Sequence, residues 1–409
     1  MNVVGLIVEY NPLHHGHAYH FQKAKAVTQA EACVVVMSGH FLQRGEPAIV
    51  NKWARAEMAL QMGADIVLEL PYVYATQHAE HFAYGATSIL NHLPFVTHLC
   101  FGSESGHLNE LQKLAQWLLK EPTSFQQQLR AEMRKGKSYP KAFSDTLATI
   151  DELKDIDPRL YSEPNNILGL YYLISLLKLN SPIQPATIQR IKAHYHDRTL
   201  FEGDIASATA IREAIFENRT PDWDRIKSYV PPYTLDILKR ESEEGRGPIH
   251  WECYFDLLRH TMISLSPEAL SQIYEIEEGI EYRLKNEILH AKSFQELLTR
   301  TKTKRYTWNR IQRMMVHTYT NMHKRAMDAL QLENGASYLR ILGFSETGKN
   351  LLNTYKKSLD VPLISKIKKE RPPMLEWDIQ ASKQYVLGYQ NDVPQHLYRE
   401  YKQAPIQGT

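Results

Sequence analysis

Continuous runs of apolar residues at 3–8, 32–37, 65–70 and 98–101 punctuate the first hundred positions, with longer mixed stretches at 15–29, 52–62 and 79–90 between them. Strands buried on both faces read as unbroken hydrophobic runs, and strands separated by helices predict an α/β fold with a parallel sheet covered on both sides. In such sheets ligands bind outside the carboxyl ends of the strands, which points to the loops at 9–17, 38–48, 71–81 and 102–106. A basic, mostly helical stretch follows from about 108 to 150, and the sheet pattern resumes at 187–193. The small-residue segment 205–215 then opens a helix. Tyr229-Val-Pro-Pro232 is a rigid break, and 241–248 reads as a turn or linker. From Ile249 onward the periodicity is largely helical. The pattern divides the chain into a sheet-containing region, 1–225, with the insertion at about 108–150, and a mostly helical region, 226–409.

The 409 residues suffice for two or three domains, and 43% hydrophobic with 23% charged residues is ordinary globular composition. Net charge is only +2, so a nucleic-acid partner would have to be met by a local basic surface. Cys33, Cys100 and Cys253 are far apart and lack metal-ligand spacing, as expected of reduced core thiols in a cytoplasmic protein. No basic leader precedes the first strand and no stretch approaches membrane-span length. Nothing in the pattern points to an obligate protein partner.

The densest chemistry lies at His14-His15-Gly16-His17, directly after the first strand and the loop Glu9-Tyr10-Asn11-Pro12-Leu13. Glycine lets backbone approach a phosphate, and the first turn of a helix offers N–H groups and a positive dipole end. The two histidines flanking the glycine can donate to charge that develops during phosphoryl or nucleotidyl transfer. A histidine-rich helix cap is the plain alternative. Ser207-Ala208-Thr209-Ala210-Ile211-Arg212 is a second element of this kind, with capping hydroxyls and an arginine one turn in. Alone it reads equally as a Ser N-cap with an exposed arginine; together the two elements point to a bound nucleotide.

H-x-G-H after the first strand and S-x-T-x-I-R after a late one resemble the nucleotidyltransferase superfamily, with its adenylyltransferase-type Rossmann-like core. Residues 5–17, Ser38-Gly-His-Phe-Leu-Gln-Arg-Gly-Glu-Pro-Ala48, Phe101-Gly-Ser-Glu104 and Glu163-Pro-Asn-Asn-Ile-Leu-Gly169 narrow the resemblance to the bacterial tRNA(Met) cytidine acetate ligases. Two positions depart from that family's pattern, His40 in place of asparagine and Tyr171 in place of glutamate.

The resemblance implies two-step ligation. Acetate attacks the α-phosphate of ATP, giving acetyl-adenylate, and the acetyl group passes to N4 of the wobble cytidine of elongator tRNA(Met). It implies catalytic roles for His14, His17 and Arg212. ATP contacts are implied for Ile7, Val8, Glu9, Tyr10, Asn11, Pro12, Leu13, His14, His15, Gly16, His17, His20, Gly102, Asn165, Arg190, Ser207 and Thr209. Mg2+ is expected with ATP, held by phosphate oxygens and water with no dedicated protein metal site. Read by themselves, Gly102 is equally a turn glycine, Asn165 a helix cap and Arg190 a surface ion-pair residue. Gln43-Arg44-Gly45-Glu46 is either a loop over the adenylate or a solvated one.

Outside the core, Trp308, Ile311, Met315, Tyr319 and Met322 recur at helical spacing and are expected to face the interior. Lys302, Lys304, Arg305, Arg310, Arg313, Lys324 and Arg325 would then lie largely on the other side, either as a tRNA-binding stripe or as a solvated face. Arg130, Arg134 and Lys135, with Lys137 and Lys141, form a second candidate. Gly343-Phe-Ser-Glu-Thr-Gly-Lys-Asn350 imitates a phosphate loop but ends in asparagine where a hydroxyl is needed; it reads as a turn before a helix, without parallel-sheet context. Two other functions share the motifs: a small-molecule adenylyltransferase of cofactor biosynthesis and a non-catalytic RNA-binding relative.

Overall fold

In the computed structural model, which describes all residues except 121–122, 155, 191–205, 219 and 409, the first four strands fall on the four apolar runs. They are β1 (Val3–Val8), β2 (Ala32–Ser38), β3 (Ile66–Leu70) and β4 (His98–Ser103). β5 (Gln184–Gln189) begins three residues before the predicted strand; positions 191–193 of that expectation lie outside the described residues. As an edge strand with only Ile188 buried, β5 carries little of the apolar signal that marks the others.

The sheet order is β5-β4-β1-β2-β3-β6-β7, and the contacts from β5 to β3 are all parallel. The chain runs outward from β1 through β2 to β3, then crosses back to place β4 on the other side of β1. That reversal is a topological switch point, and the crevice outside the carboxyl ends of β1 and β4 is where such a sheet binds ligands.

The sheet is not confined to the first half of the chain. β6 (Leu339–Phe344) pairs antiparallel with β3, and β7 (Leu363–Ile364) and β8 (Ile406–Gln407) pair with β6. This corrects the expectation of helix-dominated surroundings for the phosphate-loop mimic. Its Gly343 lies in β6 and Ser345 caps the following helix, Glu346–Tyr355, as the turn reading required. So short a strand, interrupted by Arg340, cannot be told from a piece of buried helix by periodicity, and an antiparallel strand leaves no crossover signature.

Alternate side chains of β2 serve two cores: Val34 and Val36 pack on one face, and Cys33, Val35 and Met37 on the other. The first core continues without a break into the C-terminal helices through Phe41, Tyr72, Tyr319 and Tyr385. Among the described residues no helix is long and apolar enough to cross a membrane.

Candidate active site

At the switch point, His14 caps the helix His15–Thr28, whose first turn is closed by the histidines themselves. The Gly16 N–H donates to His14 Nδ1 (3.0 Å) and the His14 N–H donates to His17 Nδ1 (3.3 Å). Because Nδ1 is the acceptor in each ring, the proton of each neutral imidazole sits on Nε2. Burial, with Arg190, His15 and Arg212 adding to it, lowers His14 to about 3. Burial also holds His17 well below the usual histidine value, reinforced by His14 and Arg190. The two rings lie 3.8 Å apart and present neutral N–H donors, not imidazolium charges.

This corrects the expectation that the first-turn amides of this helix are free for phosphate. Gly16 is committed to His14, and the His15 N–H donates to the Tyr229 carbonyl at 3.0 Å. The open helix terminus is the other one. Ser207 Oγ accepts from the Ala210 N–H at 3.0 Å to cap Ala208–Phe216. Capping at the third helical position leaves the earlier amides, those of Ala208 and Thr209, for an anion.

Arg212, one turn in, is held by two groups: Nη1 donates to the Asn11 carbonyl (2.8 Å) and Nη2 pairs with Glu46 (2.9 Å). Asn11 Oδ1 in turn accepts from the Ile49 N–H at 2.7 Å. These contacts bind the strand-1 loop, the 38–50 loop and the arginine helix into one unit.

A cavity of about 560 Å3 collects most of the predicted ligands: Ile7, Val8, Glu9, Tyr10, Asn11, His14, Gly16, His17, His20, Gly102, Asn165, Arg190, Ser207, Thr209 and Arg212 all line it. Three do not. Leu13 is fully buried in the second core, Pro12 is buried behind a cis peptide bond, and the His15 backbone N–H donates to the Tyr229 carbonyl. A methyl group on Gly102 would approach Arg190 Cγ at 3.3 Å and His20 Cδ2 at 3.8 Å, so this glycine keeps the wall close to those side chains. Asn165 is not the helix cap, a position held by Glu163; its backbone and side-chain N–H groups donate to Glu104 (3.1 and 2.6 Å), and its Oδ1 accepts from Arg190 (3.4 Å). Burial lowers His20 to about 4, and its Nε2 is enclosed without a hydrogen-bond partner among the described residues.

Residues 43–46 are not a solvated loop. The Gln43 N–H donates to Glu9 Oε1 (2.8 Å), a carboxyl that burial pushes up and this bond pulls down. Gly45, at φ +75°, lies so close to the Gln312–Arg313 backbone that any β-carbon would clash. Trp251 Nε1 donates to the Gly45 carbonyl at 2.8 Å.

Two buried cations beneath the loop escaped the sequence reading. Arg55 donates to the carbonyls of Glu9 (2.7 Å), Ser38 (3.0 Å), Val50 (3.1 Å) and Gly39. Lys52 bridges Glu69 and Glu400, both at 2.7 Å. His40 is buried with its ring 4.5 Å from that of Tyr385, and Tyr171 packs beside the first core.

The two basic candidates differ. Ile311, Met315, Tyr319 and Met322 are buried as expected, but Trp308, at the first turn of Trp308–Thr320, is 41% exposed. Arg305, Arg310 and Arg313 sit on Glu278 (2.6 Å), Glu277 (3.5 Å) and Glu275 (2.7 Å), and Arg313 is mostly buried. Lys304 is exposed. Arg130 and Arg134 are exposed on Thr123–Arg134 without an ion-pair partner among the described residues, whereas Lys135 pairs with Glu132.

A switch-point crevice, a strand–H-x-G-H–helix element and a Ser/Thr/Arg helix facing it across one cavity define a nucleotidyltransferase, and a family profile described as HIGH Nucleotidyl Transferase matches residues 1–400. The chain belongs to the bacterial tRNA(Met) cytidine acetate ligase family. It is 42% identical over 409 residues to the tRNA(Met) cytidine acetate ligase of Anoxybacillus flavithermus, covering 99% of this chain and 100% of that protein. To that of Bacillus subtilis it is 42% identical over 413 residues, covering 99% and 97%. The apo crystal structure of Thermotoga maritima TmcAL superposes with a TM-score of 0.92 at 35% identity, over 100% of this chain and 99% of that one. The same protein bound with alpha-thio ATP gives 0.90 at 34% identity, with the same coverage.

Proposed function

We infer that this chain is an ATP-dependent ligase that joins acetate to N4 of the wobble cytidine of tRNA(Met), giving N4-acetylcytidine. The observation that carries the reading is the convergence of the His14 and His17 donors with Arg212 on one cavity, in a chain matched over its full length by ligases of that name.

ATP fits the residues present. The cavity joins a glycine-lined wall at Gly102 to an open helix terminus at Ala208 and Thr209, and His20 Nε2 waits there without a partner among the described residues. A carboxylate is a weak nucleophile toward a polyanion, so the site must hold the reactants in line and neutralise charge. His14 and His17 would donate from Nε2 to the α-phosphate oxygens as acetate attacks. Arg212 and the Ala208–Phe216 terminus would take the charge developing on pyrophosphate. The first step forms the acyl–phosphate bond and releases pyrophosphate; in the second, the amine displaces AMP. Mg2+ would arrive with ATP and shield its phosphates. Among the described residues the carboxylates lining the cavity are Glu9 and Glu46, already bonded to Gln43 and Arg212, so phosphate oxygens and water would supply most of its ligands.

Residues 1–225 then act as the catalytic region and 226–409 as the region that brings tRNA to it, in the cytoplasm where tRNA and ATP meet. The Trp308–Thr320 helix supports that division of labour, since it packs on the active-site loop at Gly45 and reaches the cavity with Asn309. Lys304 in that region, joined by Arg130 and Arg134 on the insertion of the first, offers exposed cations to the phosphate backbone. The test is ATP–pyrophosphate exchange with a panel of carboxylic acids, followed by mass analysis of nucleosides from incubated tRNA. Acetate is expected to stimulate exchange and a cytidine to gain an acetyl group, with His17→Ala and Arg212→Ala abolishing both. Exchange indifferent to acetate, with no acetylated cytidine, refutes the reading.

A further inference from the structure

The nucleotide cavity is built from both faces of the sheet, and its two sides carry different chemistry. The helices that bring His14, His17 and Arg212 bury Phe21, Ala24, Ile211 and Ile215 in the second core. Glu9 lies on the other side. Side chains of a strand alternate between faces, and at the end of β1 Ile7 packs against the first core and Val8 against the second, which sends Glu9 the way of Ile7. Its neighbours agree: Ser38 continues the Val34–Val36 face of β2, and Phe82, Leu168 and Tyr172, which line the cavity with Glu9, belong to the first core. We propose that Glu9 is the general base of acetyl transfer, receiving the proton that the cytidine N4 loses as it is acylated. The proposal rests on the ligase reading above and adds to it the side from which the amine arrives and the group that takes its proton.

The stereochemistry of the first step carries the placement. Attacking and leaving oxygens lie in line across the phosphorus. With pyrophosphate drawn to Arg212 and the helix terminus at Ala208, acetate attacks from the Glu9 side, and the acetyl group is left there. The amine then meets the acetyl carbon on the same side. Glu9 is held for this task by one oxygen: Oε1 accepts from the Gln43 N–H (2.8 Å) and lies 3.5 Å from Ser38 Oγ. Oε2 takes no hydrogen bond among the described residues. Glu46, the other carboxylate lining the cavity among those residues, is occupied by Arg212.

The titratable and charged groups around Glu9 are Arg44 and Glu46 on the 38–50 loop, Arg55 beneath it, Tyr172 on the helix Pro164–Lys178, and His14 and His17 across the cavity. Burial pushes Glu9 up, opposed by the Gln43 N–H and Arg44, which moves a carboxyl toward the range where a base works best near neutral pH. Burial keeps Tyr172 and both histidines uncharged. In the transfer step the N4 lone pair forms a bond to the acetyl carbon. The bond from that carbon to the phosphate oxygen breaks, and AMP departs with the electron pair. N4 becomes acidic as it is acylated; its proton passes to Glu9 Oε2 and from there to water.

The experiment supplies acetyl-adenylate directly, with enzyme in excess over tRNA, and follows N4-acetylcytidine through a single turnover for wild type, Glu9→Gln and Glu9→Asp. Glutamine keeps an acceptor for the Gln43 N–H and removes the base. Glu9→Gln is expected to transfer about 10²–10⁴-fold more slowly than wild type at saturating enzyme, with tRNA affinity within about 3-fold. Wild-type transfer is expected to rise with pH as Glu9 ionises and then to level; Glu9→Gln loses that rise, and Glu9→Asp recovers part of the rate together with the pH dependence. A Glu9→Gln rate within about 10-fold of wild type, or the wild-type pH profile preserved in that variant, overturns the proposal. So does acetate-dependent ATP–pyrophosphate exchange that falls by the same factor as transfer, the mark of a group that serves only the nucleotide. If wild type itself forms no N4-acetylcytidine, the ligase reading fails; if wild type acetylates and Glu9→Gln matches it, the base assignment alone fails.

Discussion

Replacing His14 by asparagine separates two tasks that one side chain performs. In the native protein His14 Nδ1 accepts the Gly16 N–H at 3.0 Å, capping the helix, and the remaining Nε2–H serves the cavity. Asparagine is among the best N-cap residues and its Oδ1 can take over the first task, but it has no group at the position of Nε2. Loss of a cap costs about 1 kcal/mol, so His14→Ala is expected to be destabilised by that amount and His14→Asn by much less. At about 2.1 cal/mol/K per residue of unfolding entropy, 1 kcal/mol in a protein of this length lowers Tm by only about 1 °C, so urea unfolding is the better measure.

The catalytic effect is larger. Loss of one preorganised donor to a developing oxyanion costs about 2.7–4 kcal/mol, or roughly 10²–10³ in rate. Acetate-dependent ATP–pyrophosphate exchange on both variants is therefore expected to fall by two to three orders of magnitude at nearly native stability for the asparagine. If His14→Asn exchanges within about 10-fold of wild type, the ring is a cap and the assignment of Nε2 as a transition-state donor is wrong.

Three further outcomes follow from buried charges and exposed cations. His14 and His317, both buried and both lowered to about 3, stay neutral in the folded protein while the unfolded chain takes up protons near pH 6.5. Stability is therefore flat above that pH and falls below it, by about 3 kcal/mol for the pair at pH 5.5; an unchanged urea midpoint between pH 7.5 and 5.5 contradicts this. Lys52→Met leaves Glu69 and Glu400 buried without their shared cation and is expected to cost about 3–5 kcal/mol in urea unfolding; a loss below about 1 kcal/mol shows that the cluster is replaceable. Arg130→Gln with Arg134→Gln is expected to weaken tRNA binding and to shorten its log–log salt slope by roughly 0.7–0.9 for each phosphate no longer neutralised, whereas Arg313→Gln, whose guanidinium is occupied by Glu275, is expected to leave the slope unchanged. Equal slopes for the double variant and wild type remove Thr123–Arg134 from the tRNA surface.

What the chain discloses locally and what it hides have a common physical cause. β1 to β4, H-x-G-H and Ser207–Arg212 are contiguous signals: burial on both faces demands unbroken apolar runs, and a helix start demands its cap at a fixed offset. The support beneath the site is assembled from distant positions and leaves no such trace. Arg212 meets Glu46 across 166 residues, and Lys52-Trp53-Ala54-Arg55 reads as an ordinary helix start although Lys52 and Arg55 are fully buried. A buried cation is stable only with partners supplied by the fold: for Arg55 the carbonyls of Glu9, Ser38 and Gly39, for Lys52 the carboxylates of Glu69 and Glu400.

The origin of those partners argues against treating the C-terminal half as a detachable tRNA handle. Glu400 comes from the short helix Arg399–Lys402, near the end of the chain, and Arg340 of β6 approaches the same carboxylate. Lys52 begins the helix whose next turn carries Arg55, and Arg55 holds the carbonyls on either side of the loop bearing Gln43 and Glu46. From above, the same loop is pinned by Trp251 and by the backbone of Trp308–Thr320. Glu46 can fix Arg212 opposite the histidines only while both supports are in place. The adenylation site is therefore completed by residues from 251 to 400, and the parts of the chain expected to bring tRNA to the site also hold its activating loop in shape.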